Sequence, residues 1–109
     1  MTKLDANRIR ELAFKDKLAF KKHTVLRMRQ RKITADEVKE ALQVCKIIEY
    51  YPEDRPLPSG LVLGYTENKK AVHAVVAADE IEEMLWVITV YEPNILEWEE
   101  GFKKRRKEK

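Results

Sequence analysis

Residues 34–51, TADEVKEALQVCKIIEYY, change character at Cys45. Thr34 and Glu37 form a Thr-x-x-Glu capping box, in which hydroxyl and carboxylate each satisfy a backbone N–H left open at a helix start. Val38, Ala41, Leu42 and Cys45 follow at i, i+3, i+4 and i+7, one apolar stripe facing a core. From Lys46 onward the period shortens, and IIEYY has the β-branched and aromatic residues of a strand. The chain passes here from helix to sheet. The fold class turns on whether each flank keeps its own period.

Both flanks do. No proline precedes Pro52 and no glycine precedes Gly60, so the first half lacks helix breakers. Ile9, Leu12 and Ala13 mark an amphipathic helix over about 5–16. LAFKKH alternates loosely, as a short extended segment would. A second helix runs from Thr24, with Val25 and Met28 directed at the core. On the other flank LVLGYT, AVHAVVA and MLWVITVY read as strands. Glu67-Asn68-Lys69 and Asp79–Glu83 are hairpin loops, which makes the last three strands an antiparallel meander. Pro52, Pro56, Pro58 and Gly60 stiffen the longer connection between the first two strands. The expectation is an α+β domain over residues 1–100, with the N-terminal helices on one face of an antiparallel sheet. That sheet is expected to have four strands, with five as the alternative. Residues 101–109, GFKKRRKEK, read as a frayed basic tail.

Composition narrows the function classes. The 109 residues are 44% hydrophobic and 38% charged, a balance of a soluble domain with one core. The N-terminus does not resemble a signal peptide, and AVHAVVAA is too short to cross a bilayer. A lone Cys45 excludes an internal disulfide and fits a reducing cytoplasm. Cys45 reads as a core residue, not a nucleophile. With two histidines besides, there is no clustered set of soft ligands for zinc, so neither metal nor other cofactor is expected. Asp79, Glu80, Glu82 and Glu83 lack the spacing of a calcium loop. Glycine-rich phosphate loops, zinc-protease motifs and nucleophile elbows are missing.

The net charge of +3 conceals segregation. Residues 1–32 carry a surplus of 8 bases, residues 33–100 a surplus of 10 acids, and residues 101–109 a surplus of 5 bases. A concentrated basic face gathers anions in a way a uniform surface does not. Nucleic acid or an acidic protein segment is the natural partner, unless the basic ends simply pack near the acidic middle.

Within the basic segment, His23, Arg27 and Arg31 are spaced by four and share one helical stripe. A guanidinium fork holds phosphate through two hydrogen bonds. The plainer reading is a solvated helix face with His23 at its start. In the strands, alternation puts Val72, Val76, Trp86, Ile88 and Val90 on the core side. His73, Thr89, Tyr91 and Tyr65 then fall on an open face, where tyrosines stack bases and an imidazole moves protons. The plainer reading there is a half-buried histidine with cross-strand tyrosine neighbours. Arg55, in the proline-held loop EDRPLPSG, can deliver a guanidinium beside the sheet or pair with Glu53 or Asp54. Arg29 adds a further base.

The order His23-x-x-x-Arg27-Met28-x-x-Arg31-x-Ile33-Thr34, then Glu37, Val38 and Ala41-Leu42, followed by YPEDRPLPSGLVLGYT, AVHAVVA and VITVYEP, resembles an uncharacterised domain-of-unknown-function family of short prokaryotic proteins. Members are often encoded beside a zinc-finger-type antitoxin, and their plan is similar to that of RelE-like and BrnT-like toxins. The resemblance implies a RelE-like sheet and a toxin that cuts messenger RNA, free or on the ribosome, without metal. It also implies a silencing antitoxin protein. The family brings no established catalytic residues. Cleavage chemistry needs a base, an acid and cations around the phosphate. His73 or His23 can supply the proton transfers, Arg27 and Arg31 the phosphate contacts, and Arg55, Arg29, Tyr65 and Tyr91 the hold on RNA. One departure is Tyr91-Glu92-Pro93, which sets a negative charge where RelE-like toxins often carry a basic and aromatic pair. A non-catalytic RNA- or ribosome-binding module, or a protein-interaction domain with a basic face, uses the same surface.

Overall fold

The fold is a computed structural model that describes residues 4–107. Residues 1–3 of the expected domain and 108–109 of the expected tail lie outside the described residues. Among those described, three helices and five strands follow in the order α1 (Ala6–Phe14), β1 (Leu18–Phe20), α2 (Lys22–Gln30), α3 (Ala35–Leu42), β2 (Lys46–Tyr51), β3 (Ser59–Tyr65), β4 (Ala71–Asp79), β5 (Met84–Tyr91). This is the α+β class, with all three helices ahead of the meander and β1 between α1 and α2. Asp5 caps α1 through the Asn7 N–H, and the Thr34–Glu37 box is formed in both directions at α3.

The sheet order is β1-β5-β4-β3-β2. The strands β2 to β5 are an antiparallel meander, and LAFKKH does contribute a strand, β1, which pairs parallel to β5. The sheet is therefore mixed. Ile9, Leu12 and Ala13 of α1, Met28 of α2, and Val38, Ala41 and Leu42 of α3 pack onto Val62, Val72, Ala74, Val76, Leu85, Val87 and Val90. Contact between α3 and β3 is closest at Gly64, where a Cβ would stand 2.0 Å from the Ala41 carbonyl oxygen. A side chain has no room there.

Two expected core positions on β5 are displaced. Val75 pairs with Thr89 and Val76 with Val87, which leaves Ile88 as an extra residue in a β-bulge. A bulge shifts the side-chain alternation by one. Leu85 and Val87 thus take the core places assigned to Trp86 and Ile88, while Val90 keeps its own. On α2 the buried pair is Thr24 and Met28, four apart, and Val25 is 40% exposed instead of facing the core.

The bulge also explains how α2 is seated. Strand β1 ends at Phe20, opposite Val87, so the next outward carbonyls of β5 have no strand beside them. Thr24 Oγ1 donates to the Ile88 carbonyl at 2.8 Å, and Arg31 Nη1 donates to the Val90 carbonyl at 2.7 Å. Helix α2 completes the edge that β1 leaves unfinished.

Residues 101–107, read as loose tail, turn back and are held. The Glu99 N–H bonds the Lys104 carbonyl, the Arg106 N–H bonds the Glu97 carbonyl, and Trp98 bridges Arg105. Together with residues 94–100 they form a strap lying across the sheet face away from the helices.

Candidate nucleic-acid interface and the enclosed histidine–tyrosine pair

Strand register sets His73 between Leu63 and Tyr91, so His73 and Tyr91 do share the face opposite the helices. That face is closed at this point by the strap. Trp98, 1% exposed, stands edge-on to the imidazole with ring centroids 4.4 Å apart. Phe102 brings its carbonyl within 2.8 Å of Nε2, and the Tyr91 hydroxyl lies 3.1 Å from Nδ1. A carbonyl only accepts, so Nε2 carries the proton and Nδ1 accepts from the tyrosine. His73 is fully buried with both ring nitrogens engaged. The open position expected for it is not what the fold provides, because aromatic and backbone groups of the strap fill the space above the strand.

The surrounding charges are paired within the same cover. Arg105 grips Glu49 through two hydrogen bonds and lies 4.7 Å over the Trp98 ring, while the Tyr51 hydroxyl donates to Glu49. Arg105 and the Tyr51 hydrogen bond hold the Glu49 carboxyl below the usual range against a burial effect that raises it. Burial pushes the His73 imidazole below its ordinary value, partly offset by the Phe102 carbonyl. Burial raises the Tyr91 phenol, and the charges of Arg105 and Arg31 pull it back. None of Trp98, Phe102, Arg105, Glu49 and Tyr51 was identified from the sequence as part of this cluster.

The other predicted residues lie apart from it. Tyr65 pairs with Ala71 and lines a shallow cleft with Glu40, Gln43 and Val44 at the C-terminal end of α3. Arg55 donates to the carbonyls of Pro52 and Asp54 in its own loop, and the Asp54 carboxylate takes the Ser59 hydroxyl. Cys45 is buried in the core, and burial raises its thiol to about 11. Among the described residues no group of three or more His, Cys, Asp or Glu is arranged to hold a metal ion, and no helix is long and apolar enough to cross a membrane.

Helix α2 is the open surface. Residues 17–35 contain seven Lys/Arg and His23 without one Asp or Glu. Lys22, His23, Arg27, Arg29 and Lys32 are all exposed and form no ion pair among the described residues. His23, Arg27 and Arg31 do follow one another along one flank of the helix, with Arg31 anchored to the Val90 carbonyl by one of its five donors. Arg29 falls on the opposite flank, beside Val25 and Lys32.

Residues 20–92, about two-thirds of the chain, match the family described as Domain of unknown function (DUF4258). The match takes in α2, α3 and β2 to β5, and stops before the strap. No curated protein and no solved structure matches the chain. By the extent of the family match, the chain belongs to the DUF4258 family.

Proposed function

We propose that this protein binds RNA by its phosphates, along the flank of α2 that carries His23, Arg27 and Arg31. One observation carries the reading: an acid-free basic helix whose exposed cations have no carboxylate partners among the described residues. Unneutralised cations spaced one helical turn apart attract a polyanion and release its counterions on contact. Arg31 is already oriented by the Val90 carbonyl, which lowers the entropy lost when its remaining donors meet phosphate.

The test is binding of a single-stranded RNA oligonucleotide at several salt concentrations. Two phosphates held by Arg27 and Arg31 give a slope of log K against log salt of about −1.4. Arg27→Ala makes the slope shallower and weakens binding. Salt-independent binding, or an Arg27→Ala variant that binds like the parent, contradicts the proposal.

A second reading adds metal-independent cutting, as the toxin resemblance implies. Its support is that His23 is exposed one turn from Arg27, whereas His73 is enclosed. Cutting by this route leaves a cyclic phosphate end, stops in His23→Gln and persists in Tyr65→Phe. RNA left intact by prolonged incubation limits the activity to binding. Growth arrest on expression, relieved by a neighbouring gene, is the readout for a toxin and its antitoxin.

A further inference from the structure

The opposite flank of α2 has a different make-up. Phe20, Val25, Met28 and Ile33 line a groove of about 400 Å³ between α2 and the start of α3. That volume is in the range of ligand clefts, about 300–1,000 Å³. Arg29 and Lys32 stand on its rim, and Thr34 and Ala35 close it at the positive end of α3. No carboxylate lines it. The capping box has already used the Thr34 and Glu37 N–H groups, two of the four that a helix start leaves open.

We infer that this groove receives a short acidic segment of a partner protein, which seats apolar side chains against Val25, Met28 and Ile33 and sets carboxylates on Arg29 and Lys32. The chemistry selects this occupant. An apolar floor gives little to a phosphate backbone but gains from a buried Leu, Ile or Phe. A rim of two cations without acids favours carboxylates beside that anchor and repels basic segments. The walls are fixed: Met28 and Ile33 are core residues, and the Lys32 carbonyl is held by Lys70 Nζ. The groove therefore exists before the partner arrives, and it lies within the stretch matched by the family.

The experiment selects a displayed library of random peptides, about a dozen residues long, on the folded protein. Peptides enriched on the parent over a Val25→Asp/Arg29→Glu variant combine Asp or Glu with Leu, Ile or Phe. An enriched peptide, added to methyl-labelled parent, shifts the signals of Val25, Met28 and Ile33. Its affinity falls about tenfold or more in Val25→Asp/Arg29→Glu. It falls by a lesser factor in Lys32→Asn, a change suited to the positive φ of 58° at that residue. Arg27→Ala, across the helix, keeps the affinity within about twofold. Val25 and Arg29 are exposed, so circular dichroism of the variant matches the parent. Enrichment without acidic residues, or no enrichment over the variant, overturns the inference. So does an RNA oligonucleotide that shifts the same methyls and displaces the peptide, since that identifies nucleic acid as the occupant.

Discussion

Arg31 illustrates how one side chain can hold the fold and face outward. Its Nη1 bonds the Val90 carbonyl at the end of β5, a group that β1 is too short to reach. Arg31→Ala leaves that acceptor without its charged donor and costs about 1–3 kcal/mol in urea unfolding, and Arg31→Lys recovers only part. Thr24→Val, which removes the bond to Ile88, costs about the same; a loss below about 0.3 kcal/mol in both would show that α2 is not tied to the strand. His73 gives a pH signature. Because burial lowers its folded value below 6.5, the unfolded chain takes up the proton first. Stability is therefore full above about pH 6.5 and declines as pH falls through that value toward the folded one. The loss tied to Glu49, whose folded value is also lowered, comes at more acid pH, below 4.5. Urea midpoints measured down from about pH 7 show the first decline, and His73→Phe removes it.

Among the elements, the interface of α3 with β3 sets the tightest constraint. Gly64→Ala would drive a Cβ into the backbone of α3, and backbone cannot rotate away as a side chain can. The variant loses about 3 kcal/mol or more, read as an earlier urea midpoint. Helix α3 and the meander were legible from the sequence because local signals agreed there: a capping box, an apolar stripe, then strands divided by turn residues. The phase of β5 was not. LWVITVY is a nearly continuous apolar run whose pattern fixes no phase, and the extra residue at Ile88 is set by the long-range pairing of Val75 with Thr89 and Val76 with Val87, which periodicity does not record. Val25 looked like a core residue because it is apolar and three residues from Met28, whereas the buried partner of Met28 is the polar Thr24, satisfied by the Ile88 carbonyl.

Across the whole molecule, the strap decides which chemistry is open. In the sequence it reads as acidic then basic residues around Gly101, with Trp98 and Phe102 embedded. Two aromatics in so charged a segment, with glycine between opposite charge runs, were the available sign of a self-folding turn; Gly101 indeed has a φ of 91°. Charge composition alone favoured a solvated tail, and it could not reveal that Arg105 would find Glu49 on β2. Trp98→Ala removes a large buried side chain, costs about 3–5 kcal/mol if the strap stays, and lets the His73 pKa rise toward 6.5 as water enters. Histidine NMR of that variant reads the change directly.

The same method tests the main claim. The chain has two histidines, His23 on the open basic helix and His73 under the strap. Titrating single-stranded RNA into protein labelled at histidine should move the ring signals of His23 and leave those of His73 in place. Movement of His73 with His23 unchanged would contradict the account, and so would two sets of signals that never respond.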